Sequence, residues 1–309
     1  MSTIENRLSR IYDWRTVSRP KGEVSPTLEA RLSELLPDLL SVSRPIMTPE
    51  VPVIVAASVL AGHDAPILPI TRAGGAPRGV EKQGMRLFRA IGGQQAIRLV
   101  VKTRPEDRYK VLWGPCTTTS MWLGAVEYDD TLENVLRIFE LTGFGDARVN
   151  ARAPPHGLVT LEEVVSLYRE GRLSCGMGVN EVASRVISID PETPLIEAMT
   201  TMCDRRVRRL FLKGKRGEFI SDRGVLALLF SPKALSTARD APELWTDFKV
   251  ADVRPATAAE VSPDSTVEEV GRLVGEGRNV FLLSTGLSLV SRWDMVMKPW
   301  KAGRLQLVS

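Results

Sequence analysis

The run Val250-Ala251-Asp252-Val253-Arg254-Pro255, followed by Val261-Ser262-Pro263-Asp264-Ser265-Thr266-Val267, decides how this chain is read. A short β-like run passes through a proline into Val267, Val270, Gly271 and Val274, spaced at i, i+3, i+4 and i+7. That spacing lays four small or apolar residues on one face of an amphipathic helix. Ser265 and Glu268 stand at capping-box spacing, which satisfies two orphan N–H groups at the helix start.

The same device occurs three more times. Asp190-Pro191-Glu192-Thr193-Pro194 leads into Leu195, Ala198, Met199 and Met202. Thr48-Pro49-Glu50-Val51-Pro52 leads into Val53, Ala56, Ala57 and Leu60, and Asp129-Asp130-Thr131 into Leu132, Val135, Leu136 and Phe139, with Asp130 and Glu133 as a second cap. Four helices with one face and one kind of start make an internal repeat, the feature that governs a fold assignment. Each helix is followed by a β-like run: Pro66-Ile67-Leu68, Ala147-Arg148-Val149, Arg209 to Leu212 and Val280 to Leu283. A turn and a second strand come next, at Arg78-Gly79-Val80, Gly157 to Thr160, Glu218 to Ser221 and Ser288 to Ser291, and then another helix.

Bulk properties set the outer bounds. The chain has 309 residues, 43% hydrophobic and 25% charged, enough for two domains that each bury a core. No apolar run reaches the roughly 18–20 residues of a membrane span, and the charged Met1 to Arg15 lacks a secretory core, so a cytoplasmic protein is expected. Cys116, Cys175 and Cys203 are odd in number and widely spaced, and His63 and His156 are the only histidines, so neither a disulfide framework nor a metal site is expected. No phosphate loop, nucleophile elbow or His-Glu-x-x-His helix is present, and Gly74-Gly75 and Gly92-Gly93 read as isolated turns. With the repeats using nearly all of the chain, a non-enzyme is expected. The net charge of +4 conceals 31 Arg against 10 Lys, a choice that suits phosphate.

The order strand–helix–strand–strand–helix, with Val179 to Val182, Val186 to Pro191, Val207 to Leu212 and the Val250 and Val261 runs, resembles the CBS (cystathionine-β-synthase) domain family over residues 41–300. The resemblance implies an α/β (α+β) fold of four βαββα repeats in two tandem pairs, the Bateman modules. One unit cannot cover both faces of its small sheet, and in the family two units pack sheet against sheet about a pseudo-twofold axis. A basic N-terminal tail and helix are expected at 1–40, a first, divergent pair at 41–175, a second pair at 176–301 and a C-terminal tail at 302–309. Segments 92–115 and 231–249 read as bridges between units.

The resemblance also implies adenine nucleotide (ATP, ADP or AMP) as a ligand rather than a catalytic cofactor. The family's mark is a Ser or Thr with an Asp three residues on, at the start of the last helix. There the carboxylate takes the ribose hydroxyls and the helix dipole favours phosphate. Ser291 and Asp294 keep the mark, with Thr257 and Asn279 expected at the base and Arg278 at phosphate. Thr160 and Glu163 form a weaker second site, Ser221 has Gly224 in place of the acid, and Glu81 to Gly84 of the first unit lacks both groups. The same residues also serve as plain helix caps.

Arg7, Arg10, Trp14, Arg15, Arg19 and Lys21 in the first tail, and Arg205, Arg206, Arg208 and Arg209 in the third unit, form a candidate RNA-binding set. Some archaeal proteins of tandem CBS repeats associate with ribosomes as dormancy factors, which suggests a ribosome- or RNA-docking regulator. The alternative is a nucleotide-sensing regulatory subunit of another protein, with a protein partner or homodimer made through the CBS modules.

Overall fold

The computed structural model describes residues 28–40, 45–62, 67–71, 80–82, 85–150, 157–275 and 279–308. Eight helices carry the repeats: α1 (Val53–Gly62) and α2 (Gly93–Lys102), α3 (Leu132–Thr142) and α4 (Leu161–Arg169), α5 (Leu195–Arg205) and α6 (Asp222–Leu229), and α7 (Val267–Arg272) and α8 (Arg292–Lys301). Every residue assigned above to the apolar faces of α1, α3, α5 and α7 is buried.

The principal strands are β1 (Ile67–Pro69), β2 (Met85–Gly92), β3 (Met121–Glu127), β4 (Asp146–Asn150), β5 (Gly157–Thr160), β6 (Ser184–Arg185), β7 (Ser188–Ile189), β8 (Arg209–Leu212), β9 (Glu218–Ser221), β10 (Ala256–Thr257), β11 (Ala259–Val261), β12 (Val280–Leu283) and β13 (Ser288–Ser291), with short strands at Val80–Lys82, Leu173–Ser174 and Gln306–Leu307 besides. In the second pair the lead-in strands are exchanged. The strand entering the third repeat pairs first with the fourth repeat (β6 on β13) and then with its own (β7 parallel to β8). The strand entering the fourth does the converse, β10 on β9 and then β11 parallel to β12. This reciprocal exchange is the approximate twofold relation of the pair, and it yields two four-stranded sheets. In the first pair β3 makes both contacts without a break, Met121 to Gly124 on β2 and Ala125 to Glu127 parallel to β4, so one six-stranded sheet forms instead of two.

Three expectations are corrected. The second strand of the first repeat is Met85–Gly92, in register with β1 (Ile67 opposite Gly92), not Arg78 to Val80. Residues Val80–Lys82 form a hairpin arm on that strand. The first repeat's second helix therefore starts at Gly93, inside the segment read as a bridge, and Glu81 and Lys82 lie in the hairpin arm, with Gln83 and Gly84 outside the described residues. Two caps also move by one residue: Thr266 with Glu269 and Thr131 with Asn134 close the helix starts assigned to Ser265 with Glu268 and Asp130 with Glu133.

Nor does each pair bury its own core. One large apolar cluster joins helices of the first and third repeats, from Val53 and Ile97 to Met199 and Leu226. Another joins the second and fourth, from Phe139 and Tyr168 to Val267 and Met295. Among the described residues two small clusters lie within a pair, Ile67, Ala90, Leu123 and Leu158 in the first and Phe211, Phe219, Ala258, Val280 and Leu282 in the second. The physical reason is layering: a helix layer apolar on its outer side must be covered, and here the other pair covers it. The bridges meet as well, Arg108 Nη1 donating to Thr246 Oγ1 at 2.6 Å.

Candidate functional site

Each repeat ends a strand on the residue that starts its second helix. Thr160, Ser221 and Ser291 stand in extended backbone, and their hydroxyl oxygens accept from the N–H groups of Glu162 (3.0 Å), Gly224 (3.1 Å) and Asp294 (3.4 Å). In the first repeat Gly92 takes this place and donates its N–H to Gln95 Oε1 at 3.2 Å. The stacking of the two pairs brings these four helix starts together two by two. Gly93 of α2 lies against Asp222 of α6 so closely that a Cβ on Gly93 would be 2.9 Å from the carboxylate. Arg292 of α8 donates to Glu162 of α4 at 3.0 Å and to the Asn279 side chain.

Arginines fill the space around these contacts. Arg208 Nε donates to the buried Asp222 Oδ2 at 2.8 Å, and that carboxylate holds its pKa above the usual arginine value. Arg209, one residue on in β8, has its guanidinium 5.9 Å from the Phe219 ring centre. Burial first, and Arg208 next, push its pKa down to about 10. Arg292 and Arg223 act in the same sense, while Asp222 opposes them. Arg292 keeps a buried Nε for which no hydrogen-bond partner exists among the described residues. Like charges held close in a half-buried space repel, and four helix starts add positive potential. The arrangement is chemically suited to an anion, whose oxygens would accept from guanidinium N–H groups.

Of the sequence-assigned nucleotide residues, the structure groups Asn279, Ser291 and Asp294. Thr257 stands on β10 opposite Glu218 of the third repeat, two residues before Ala259 pairs in parallel with Phe281 of β12, as Asn279 stands two residues before Phe281. Arg278 lies outside the described residues. Asp294 is 3% exposed and its oxygens are occupied. Oδ2 accepts from Ser291 N–H (2.9 Å) and Oγ (2.6 Å), while Oδ1 accepts from Ser184 Oγ (2.6 Å) and the Lys298 ammonium (2.9 Å). A carboxylate offers about four acceptor positions, so a ribose would have to displace Ser184 or Lys298. At the weaker site Glu163 closes onto the Thr160 N–H (2.8 Å) and hydroxyl. In the third repeat a Cβ on Gly224 would meet Val253 Cγ1 at 3.1 Å, so the cleft is packed where an acid would stand.

The RNA-binding set divides. Arg205 and Arg206 are exposed at the end of α5, where Arg206 takes the left-handed cap conformation (φ 54°). Arg208 and Arg209 are half-buried instead, Arg208 on the Asp222 carboxylate and Arg209 beside the Phe219 ring. Arg7, Arg10, Trp14, Arg15, Arg19 and Lys21 lie outside the described residues. Sequence reasoning missed Arg223 and Arg292 as site residues. Their signal was arginine in the first turn of the second helix in two successive repeats.

The molecule thus belongs to the class of four-repeat βαββα proteins whose lead-in strands are exchanged within pairs. It has the CBS-pair fold, twice over in one chain. A Methanocaldococcus jannaschii protein described as a candidate archaeal homolog of g-AMPK superposes with a TM-score of 0.72 at 13% identity, over 88% of this chain and 100% of that one. The CBS-domain containing protein of Agrobacterium tumefaciens gives 0.36 at 14% identity, over 47% of this chain and 98% of its own. The CBS-pair protein CBSX2 of Arabidopsis thaliana gives 0.33 at 18%, over 42% and 98%. No protein-family model matches the sequence, and no curated protein matches it significantly.

Proposed function

We propose that the protein is a non-catalytic regulatory sensor of an adenine nucleotide, whose phosphates are taken by Arg208, Arg209, Arg223 and Arg292. The observation that carries this reading is the convergence of those arginines with four helix starts at the junction of the two pairs. The adenine part of the ligand follows from the resemblance to CBS pairs. The saturation of Asp294 favours capture by the phosphate end over capture by the ribose. Calorimetric titration tests it. ATP is expected to bind and adenosine not to, and Arg209→Ala is expected to weaken ATP on the order of tenfold or more. Equal heats for adenosine and ATP, or no heat from either, would overturn it.

Docking on RNA or a ribosome rests on the sequence of the first tail and on the exposed Arg205 and Arg206. Salt-dependent co-sedimentation with ribosomes, compared with a chain lacking residues 1–22, decides that reading. Loss of sedimentation on deletion is the outcome it requires.

A further inference from the structure

We propose that Glu162 is a built-in competitor for the anion at the junction, so that anion binding is felt across the boundary between the two pairs. This rests on the phosphate-binding reading above and goes on to its regulation. Glu162 comes from α4 of the first pair and Arg292 from α8 of the second, and their 3.0 Å contact is an ion pair between the two halves of the chain. Arg292 spends Nη1 on Glu162 and Nη2 on Asn279, and its buried Nε has no partner among the described residues. An incoming anion therefore gains a donor of this guanidinium by displacing the resident carboxylate from Nη1. A phosphate seated among the arginines and Glu162 carry the same sign, so they oppose each other over a few ångströms in a half-buried setting.

The other ion pair of the junction differs in kind. Asp222 is 2% exposed and wedged between Arg208 and Gly93, so it has no room to leave. The Glu162 side chain is 45% exposed and can swing into solvent. Displacing Glu162 releases one of the contacts between α4 and α8, elements whose apolar faces form part of the core shared by the second and fourth repeats. Ligand in the junction and contact between the pairs are thereby linked. By thermodynamic reciprocity, whatever loosens the contact must also favour the ligand.

The test is ATP titration of the full chain in three forms: unaltered, Glu162→Gln and Glu170→Gln. Gln keeps the size of the side chain and removes its charge. Glu170, exposed on the same segment and paired with Arg172, controls for net charge. Glu162→Gln is expected to bind ATP more tightly by on the order of tenfold, and Glu170→Gln to match the unaltered chain within about twofold. Unchanged or weaker binding in Glu162→Gln, with the unaltered chain binding ATP, overturns the competitor role and leaves the nucleotide reading standing. An equal gain in both variants overturns it too, because net charge then explains the effect. Absence of ATP binding in all three overturns the nucleotide reading itself, and this inference with it.

Discussion

In the first pair, β4 carries Arg148 on the face turned toward the sheet interior; in the second, β8 and β12 carry Phe211 and Leu282 there. The registers make these positions equivalent, since Asp146 stands opposite Thr160, Arg209 opposite Ser221 and Val280 opposite Ser291. Arg148 is 4% exposed, with its guanidinium 4.7 Å above the Phe88 ring. Its Nε donates to Asn150 Oδ1 at 3.1 Å, and Asn150 donates on to Glu127 at 3.2 Å. Burial pushes its pKa down to about 10. A polar interior of this kind fixes geometry through its hydrogen bonds, but desolvation offsets much of its stabilising effect. The apolar interior of the second pair gains more from burial alone. Both pairs bury their helix faces against each other, so the large cores run between pairs whichever kind of interior the pair has.

The most severe test of that contrast exchanges the residues. Phe211→Arg places an unaccompanied cation in an apolar cluster and is expected to cost more than about 4 kcal/mol, read as a collapse of the urea midpoint. The reverse change, Arg148→Met, is expected to stay within about 1.5 kcal/mol of the unaltered chain. Similar costs for the two would show that the interiors are not different in kind. Gly271→Ala probes the shared helix core: its Cβ would come 2.7 Å from Tyr168 Cβ and 2.9 Å from the buried ring, so a loss of about 1–3 kcal/mol is expected in thermal unfolding. Ser291→Ala and Thr160→Ala remove matching caps from the two pairs and should each cost about 1 kcal/mol; a large inequality would mean that one cap holds more than its helix.

The smallest expected effect is on pH. Burial raises the pKa of Glu268, but the N–H groups of Cys175 (2.6 Å) and Gly176 (2.8 Å) outweigh burial and leave it below the usual glutamate value. A depressed carboxylate stabilises the fold above its unfolded pKa of about 4.3, and the gain is lost as pH falls through the lower folded value. Glu268→Gln should therefore lower stability at neutral pH and converge with the unaltered chain in acid.

Much of this fold is written in local patterns. The helix faces beginning at Val53, Leu132, Leu195 and Val267 depend on periodicity alone, and the strands Arg209–Leu212, Glu218–Ser221, Val280–Leu283 and Ser288–Ser291 carry β-branched or aromatic residues between turns. What escaped was non-local. Gly92-Gly93 reads as a turn until Asp222 arrives against it from the third repeat. Glu268 fits a capping box by spacing, yet it is drawn away to the connection at Cys175 and Gly176. The exchange of the lead-in strands, which sets Thr257 of the fourth repeat opposite Glu218 of the third, has no local signal either. The junction is illegible for the same reason: Glu162 and Arg292 are distant in sequence and meet only where the pairs stack.

A crystal structure grown with ATP tests the central claim most directly. The account requires the phosphates to lie within hydrogen-bond distance of Arg209 and Arg292, with Asp294 still bonded to Ser184 and Lys298. Density for the nucleotide on the Asp294 carboxylate, with no phosphate reaching those arginines, would contradict it.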